Sequence, residues 1–252
     1  YQPPSKVKSK YNPQVKGPVS EIEKAVDLIA KAKRPVFYVG GGVINSGTAA
    51  CQLLTQLVRM TGIPCTLTLM GLGAFPGSDP LYLGMLGMHG TYEANMAMHD
   101  CDVMIAIGAR FDDRVTGRIN AFAPHSKKIH IDIDPSSINK NVMVDIPIVG
   151  DCAHILEDMI KVWKARQPRL DERALRAWWA QIEEWRAIDS LRYPASHEVI
   201  KPQYAIQRLY ALTKDRNPYI CTEVGQHQMW AAQHLRLDSP LHWLTSGGLG
   251  TM

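Results

Sequence analysis

No run of apolar residues in this 252-residue chain approaches the ~18 that a membrane-spanning helix needs, and no signal-peptide pattern opens it. Blocks of Lys or Arg are missing too. The formal net charge is a mild +4, and Lys6, Lys8 and Lys10 alternate with other residues, so neither nucleic acid nor a membrane is an expected partner. Cysteine is scarce: Cys51, Cys65, Cys101, Cys152 and Cys221 form no C-x-x-C pair. An odd number at wide spacing predicts reduced, mostly buried thiols and a cytoplasmic setting, not disulfides or zinc. His89 and His99 have no companions at ligand spacing, so no metal site is expected within the chain. The G-x-S-x-G elbow of serine hydrolases is absent, and so is the G-x-G-x-x-G turn of the common dinucleotide folds. An initiator Met is also lacking. The chain starts on the Pro-rich lead-in YQPPSKVKSKYNPQVKGP and stops just after a glycine-rich turn, so both ends are expected to be cut from something longer. What remains is an ordinary globular composition, 46% hydrophobic and 21% charged, enough for one large domain or for one domain and part of another.

Along the chain, Ser20 and Glu23 read as a capping box ahead of the helical stripe Ile22, Ala25, Val26, Ile29 and Ala30. Val36–Val39 is a strand candidate that runs into Gly40, Gly41 and Gly42. Leu53, Leu54, Leu57 and Val58 then place a helix over Thr48–Thr61, with Gly62 as its stop. Ile63–Leu69 is a second strand candidate. The Gly/Pro-rich AFPGSDP separates it from the apolar, glycine-punctuated stretch Leu83–Gly90 and a short helix over Thr91–His99. Strands follow at Val103–Ile107, Lys128–Ile133 and Asp145–Val149, and a helix at Cys152–Arg166. Strand and helix alternate with crossovers long enough only for parallel pairing. This predicts a doubly wound parallel α/β domain over residues 19–166, after the extended linker 1–18. Residues 167–200 read as a linker and a helix, Ala174–Ile188, whose Trp178, Trp179 and Trp185 predict packing onto a neighbouring domain. Residues 201–252 read as the beginning of a second α/β unit: helix Pro202–Lys214, strand Tyr219–Thr222, helix Gln228–His234, strand His242–Thr245 and the turn Ser246–Gly250.

Chemistry is expected where the strands end. The stretch CDVMIAIGARFDDRV, Cys101–Val115, joins an unbroken apolar strand to Arg110, Asp112, Asp113 and Arg114. In open α/β sheets ligands sit outside the carboxyl ends of the strands, and guanidinium groups there grip phosphates or carboxylates. Gly40–Gly42, Thr68–Met70, Gly108–Arg114, Asp132–Asp134 and Gly150-Asp151 would share one rim. Glycines let backbone N–H groups approach a phosphate, and an Asp at a strand end accepts from ribose hydroxyls. Each feature alone suits a tight turn or an ion-paired loop equally well; together they favour an adenine dinucleotide site. The methionines near Met85, Met88, Met96 and Met98 read as core filler, with Met88 a candidate cofactor-lining residue.

The motifs VGGG, TLMGLGAFP, LGMLGMHGTYEAN, IGARFDDRVTG, HIDIDP, DIPIVGD, VGQHQMWAA and SGGLGTM, in this order, resemble the acetolactate synthase family, the large catalytic subunits of acetohydroxyacid synthase. The resemblance covers practically all of the chain after residue 18 and is nearest to the bacterial members. LGMLGMHG followed by GARFDDRV distinguishes the family from other thiamine-diphosphate carboligases. It implies that the chain holds the central, FAD-binding domain and the first part of a truncated thiamine-diphosphate-binding domain. Carried over to matching positions, FAD would meet Gly41, Thr68, Leu69, Leu86, Gly87, Met88, His89, Gly108, Ala109, Arg110, Phe111, Asp112, Asp132, Ile133, Gly150, Asp151, Gly247 and Gly248. Thiamine diphosphate would meet Gln226, His227, Gly250, Thr251 and Met252. Met88, Asp113 and Arg114 would line the channel to the active centre, with Arg114 steadied by Asp113. Mg²⁺ would be held outside this chain, as would the glutamate that activates the thiamine ring. The activity implied is decarboxylation of pyruvate and transfer of the two-carbon unit to a second 2-keto acid, pyruvate or 2-ketobutyrate, leading into valine, leucine and isoleucine synthesis. A homodimer or homotetramer, with room for a small regulatory subunit, is the implied assembly. The chain alone is expected to be inactive. The alternatives are another thiamine-diphosphate enzyme, such as a glyoxylate carboligase or a pyruvate oxidase-like flavoenzyme, and a nucleotide-binding domain without chemistry.

Overall fold

The computed structural model describes residues 13–247. The first helix, α1 (Val19–Ala30), buries Ile22, Ala25, Val26 and Ile29, the stripe read from the sequence. Its start differs from that reading. Pro18 is the N-cap, no side chain caps the helix, and the Pro18 carbonyl accepts from the Glu21 and Ile22 amides at 3.1 and 3.2 Å. A proline fixes φ in the helical range, so the first turn forms two residues earlier than a Ser20 cap would allow. Glu23 instead pairs with Arg166 at 3.2 Å.

Then come β1 (Pro35–Val39), the short α2 (Gly41–Asn45), α3 (Thr48–Thr61), β2 (Cys65–Leu67) and β3 (Tyr82–Met85). Gly62 closes α3 in the left-handed conformation, φ 67°, the stop expected of it. β3 lies in the glycine-punctuated stretch, where sequence reading assigned no element. Its Gly84 has φ 97° and its less buried positions are Tyr82 and Gly84 rather than charged residues, so the alternate burial of Leu83 and Met85 leaves no period of two in the residue types. α4 (Tyr92–Asp100) leads to β4 (Val103–Ile107), followed by the single turn α5 (Asp113–Thr116), β5 (Lys127–Asp132), β6 (Ile146–Val149) and α6 (Cys152–Arg166). The Thr91 hydroxyl caps α4 by accepting from the Ala94 amide at 3.2 Å.

β1 to β6 form one six-stranded sheet in the order β3-β2-β1-β4-β5-β6, parallel at every pairing. Every residue of β1 and of β4 is buried, as both-face burial in a parallel sheet demands. Phe37 and Val39 point to the core shared with α1, α3 and α6, whereas Val36 and Tyr38 point to the core on the other face. That second face is covered by α4 and by α7 (Glu172–Arg186), so the tryptophan-rich helix packs on this sheet. The indole N–H groups of Trp178 and Trp179 donate to the Pro35 and Gly62 carbonyls at 3.1 and 2.9 Å, and the Trp178 and Trp185 rings meet edge to face. The buried thiols of Cys51, Cys101 and Cys152 are pushed up, to about 11, 12 and 12, by loss of solvation.

The remainder is α8 (Pro202–Thr213), β7 (Ile220–Thr222), α9 (Gln226–His234) and β8 (Trp243–Thr245), with β7 and β8 a parallel pair. This unit docks on the loops after β2 and β3. The Gly77 amide donates to the Leu237 carbonyl at 2.9 Å, the Ser78 amide to Asp238 at 2.8 Å, and Gln233 Nε2 to the His89 carbonyl at 2.9 Å.

Candidate cofactor-binding site

From β1 the chain winds outward through β2 and β3, then returns to β4 beside β1 and winds the other way through β5 and β6. The crevice at that reversal lies between the carboxyl ends of β1 and β4. Glycine is needed there for steric reasons. The Gly40 amide donates to the Ile107 carbonyl and the Gly42 amide to the Gly108 carbonyl, both at 2.9 Å. A methyl group on Gly40 would sit 2.2 Å from the Gly108 oxygen, and one on Gly42 2.6 Å from the Gly108 Cα. The triple glycine therefore joins two strand ends, and two of its three N–H groups are already spent on β4. Gly41, packed against Met70, is the member left facing away from that strand end.

The turn after β4 is the most constrained part of the rim. Gly108 has φ 60°, which glycine tolerates, but Phe111 has φ 53°, a conformation that costs a bulky residue about 1–3 kcal/mol. The Phe111 ring is buried among Tyr38, His130 and Phe122, with centroid distances of 5.4, 4.9 and 6.1 Å. Below the turn, His130 Nε2 lies 2.7 Å from the Ala109 carbonyl, and Asn141 Nδ2 donates to the Phe111 carbonyl at 2.9 Å. Above it, Arg110 is exposed and ion-paired with Asp112. Asp112 caps α5, accepting from the Arg114 amide at 3.1 Å. Against the opposing effect of partial burial, that amide and the Arg110 and Arg114 guanidiniums hold the Asp112 carboxyl below its ordinary range.

The other strand ends carry the remaining predicted contacts. Thr68 is half-buried and its hydroxyl accepts from the Gly71 amide at 3.1 Å. One oxygen of Asp132 accepts from the Asp134 amide at 2.9 Å; the other lies 3.8 Å from His130 Nε2 and accepts from no donor among the described residues. Ile133 beside it is half-buried. Asp151 is largely committed inward. It caps α6 through the Ala153 amide at 3.0 Å and takes the Ser46 hydroxyl at 2.8 Å, while its own amide donates to the Val15 carbonyl at 2.9 Å. Gly150 is packed against Gly17 and Ile155. Gly247 has open space around it, and Gly248, Gly250, Thr251 and Met252 lie outside the described residues.

Met88, Asp113 and Arg114 come together on one exposed patch because the Met88 amide donates to the Arg114 carbonyl at 2.8 Å. The Asp113–Arg114 pair is looser than sequence reading implied. Its atoms are 3.7 Å apart, with both side chains more than 70% exposed at 77% and 71%, a geometry with little holding power. Backbone geometry steadies the patch instead. Asn95, on α4, brackets Gly87, accepting from its amide at 2.8 Å and donating to its carbonyl at 3.0 Å. Gln226 and His227 are exposed in the first turn of α9, and the buried Gln228 beside them donates to Thr245 Oγ1 and the Ser246 carbonyl, both at 2.7 Å. Asn95, His130, Asn141, Gln228 and Gln233 all escaped sequence reading. Only His130 left a trace there, as a polar residue in the otherwise apolar centre of KIHIDI.

The family models for the central domain and for the C-terminal TPP-binding domain of thiamine pyrophosphate enzymes match residues 22–159 and 223–252. This chain belongs to the thiamine pyrophosphate enzyme family. It is 50% identical over 245 residues to the acetolactate synthase isozyme 3 large subunit of Escherichia coli, covering 96% of this chain and 42% of the relative. The probable acetolactate synthase large subunit of Methanocaldococcus jannaschii is 46% identical over 96% of the chain, and an acetolactate synthase of Mycobacterium bovis 45% over 96%; the chain covers 41% and 39% of them. It thus spans about two-fifths of the length of these relatives. Among the described residues no His, Cys, Asp and Glu cluster of metal-binding size occurs, and no helix is long and apolar enough to cross a membrane. A dinucleotide at the rim would meet the exposed guanidinium of Arg110 and an oxygen of Asp132 that accepts from no donor among the described residues.

Proposed function

We propose that this chain forms the middle, and the start of the last part, of the catalytic subunit of an acetolactate synthase. In the whole enzyme, pyruvate loses carbon dioxide and its two-carbon unit passes to a second pyruvate or to 2-ketobutyrate, giving 2-acetolactate or 2-aceto-2-hydroxybutyrate. One observation carries the reading: 50% identity along 96% of the chain with a subunit of that name. When bound, thiamine diphosphate supplies a nucleophilic thiazolium carbon and an electron sink for the decarboxylation. The residues of this chain bind, orient and shield. Gln226 and His227, with Gly250–Met252, would hold thiamine diphosphate, and Mg²⁺ would be held outside this chain. FAD would lie along the rim, with Arg110 toward one of its anionic or carbonyl groups and the free oxygen of Asp132 toward a ribose hydroxyl. The reaction moves no net electrons, so FAD there is mainly structural. Met88, Asp113 and Arg114 would line the approach, where an exposed guanidinium attracts the carboxylate of a 2-keto acid. A cytoplasmic dimer or tetramer is the assembly that fits.

Full-length protein given pyruvate, thiamine diphosphate, Mg²⁺ and FAD should form acetolactate, and this chain alone should form none. Coupling of glyoxylate in place of pyruvate would replace the reading with a glyoxylate carboligase. Arg110→Ala and Asp132→Ala should each weaken FAD binding about tenfold or more in a flavin fluorescence titration, the scale of a lost hydrogen bond to a charged group. Unchanged affinity in both variants would take FAD off the rim.

A further inference from the structure

We infer that His130 is a positioning residue for the turn Gly108–Asp112, acting through the carbonyl of Ala109; the inference rests on the reading of that turn as cofactor-facing. The imidazole sits mid-strand on β5 with no exposed surface. Its Nε2 is 2.7 Å from the Ala109 carbonyl, and a carbonyl only accepts, so Nε2 carries the proton and Nδ1 is bare. Nδ1 is buried and has no hydrogen-bond partner among the described residues. A leucine here would fill similar space without an unpaired buried nitrogen, so packing alone does not account for the histidine.

The directed N–H does account for it. The turn it holds contains two left-handed residues, Gly108 and Phe111, and a bulky residue keeps such a backbone only where its surroundings over-determine it. His130 supplies two of those constraints. It bonds the Ala109 carbonyl, and its ring meets Phe111 edge to face at 4.9 Å. Arg110 lies between those two anchored residues and projects from the opposite side of the turn into solvent. Loosening the anchors frees the direction in which the guanidinium points, although His130 itself never reaches the ligand.

The test uses the full-length enzyme and measures FAD affinity by fluorescence quenching, with melting temperature alongside. The wild type must first bind FAD. If it does not, the flavin reading fails, and this inference with it. Given binding, His130→Gln is expected to stay within about threefold of wild type, because the glutamine amide reaches the position of Nε2 and donates there. His130→Leu and His130→Asn, which cannot place a donor at that point, are expected to weaken FAD about tenfold, the scale of one buried hydrogen bond. A merely packing role predicts the reverse order, with leucine best tolerated. Leucine equal to wild type, or glutamine no better than asparagine, overturns the proposal. Should the leucine variant not fold, the Gln and Asn pair, alike in chemistry and different in reach, decides alone.

Discussion

Gly40 shows how a residue can look like a ligand contact and be required by the protein's own backbone. Its Cα faces the Gly108 carbonyl so closely that a methyl group would stand 2.2 Å from that oxygen and 2.7 Å from the Ala109 Cα. Backbone on both sides cannot yield as a flexible side chain can. Gly40→Ala is expected to cost about 3 kcal/mol of stability in urea unfolding, with or without FAD. A loss seen only in the presence of FAD would mean that the glycine serves the ligand instead. His130 makes a second residue-scale prediction. Burial, outweighing the Ala109 bond and the nearby Asp132, lowers its folded pKa below the ordinary 6.5. Below that ordinary value the unfolded chain takes up a proton that the folded chain refuses, so stability is full above it and falls as pH drops. The slope from one such histidine is at most about 1.4 kcal/mol per pH unit, and His130→Leu should flatten the fall in urea midpoint on acidification. His234, also lowered by burial, adds a slope of the same sign that this variant leaves in place.

Among the elements, α7 is the helix expected from its tryptophans to pack onto a neighbouring domain. Read from the sequence, Trp178, Trp179 and Trp185 anchor a helix that follows a linker; in the structure they fasten it to the second face of the sheet beside α4. Trp178 is 2% exposed, and truncating a side chain of that size and burial removes about 3–5 kcal/mol. Trp178→Ala should therefore destabilise the six-stranded domain itself, whereas Trp179→Phe, which chiefly loses the bond to the Gly62 carbonyl, should cost only about 1 kcal/mol. Chemical denaturation of both variants checks this; a change below about 1 kcal/mol for Trp178→Ala would show that α7 does not support the sheet. The loop Leu86–Gly90 is likewise held from outside itself. Asn95 grips Gly87, the Arg114 carbonyl takes the Met88 amide, and Gln233 of α9 reaches the His89 carbonyl. One short loop thereby touches the rim, the exposed Met88–Arg114 patch and the helix that starts with Gln226 and His227.

For the molecule as a whole, the two units are unequal. The six-stranded domain has helices on both faces of its sheet, whereas α8 has no buried residue although it carries Tyr204, Leu209 and Leu212, exposed by 50%, 51% and 69%. Tyr219 and Leu244 are exposed as well, by 68% and 48%. Large apolar side chains left exposed in this number favour association. The isolated chain is expected to show concentration-dependent mass in sedimentation, reduced by Leu212→Glu; a strict monomer at every concentration would contradict this.

Local information sufficed where one element decides its own form. The apolar run of Val103–Ile107, the left-handed stop at Gly62 and the alternation of strand and helix needed only neighbours in sequence, and with them came the parallel sheet and its carboxyl rim. So did the positions of Arg110 and Asp132 at two strand ends. The edge strand β3 stayed hidden because Gly84 breaks its pattern. What holds the rim in shape was hidden for a different reason. His130 and Ala109 are 21 positions apart, and Gln233 and His89 are 144 apart. A hydrogen bond selects its partner by distance and direction in space, and neither exists until the sheet has formed. Residue types and periodicity determined which groups stand at the strand ends. Tertiary structure decided which of them are already spent on one another, as with Gly40, Gly42 and Asp151, and which keep something to offer: Arg110, exposed although paired with Asp112, the second oxygen of Asp132, and the side chain of Met88.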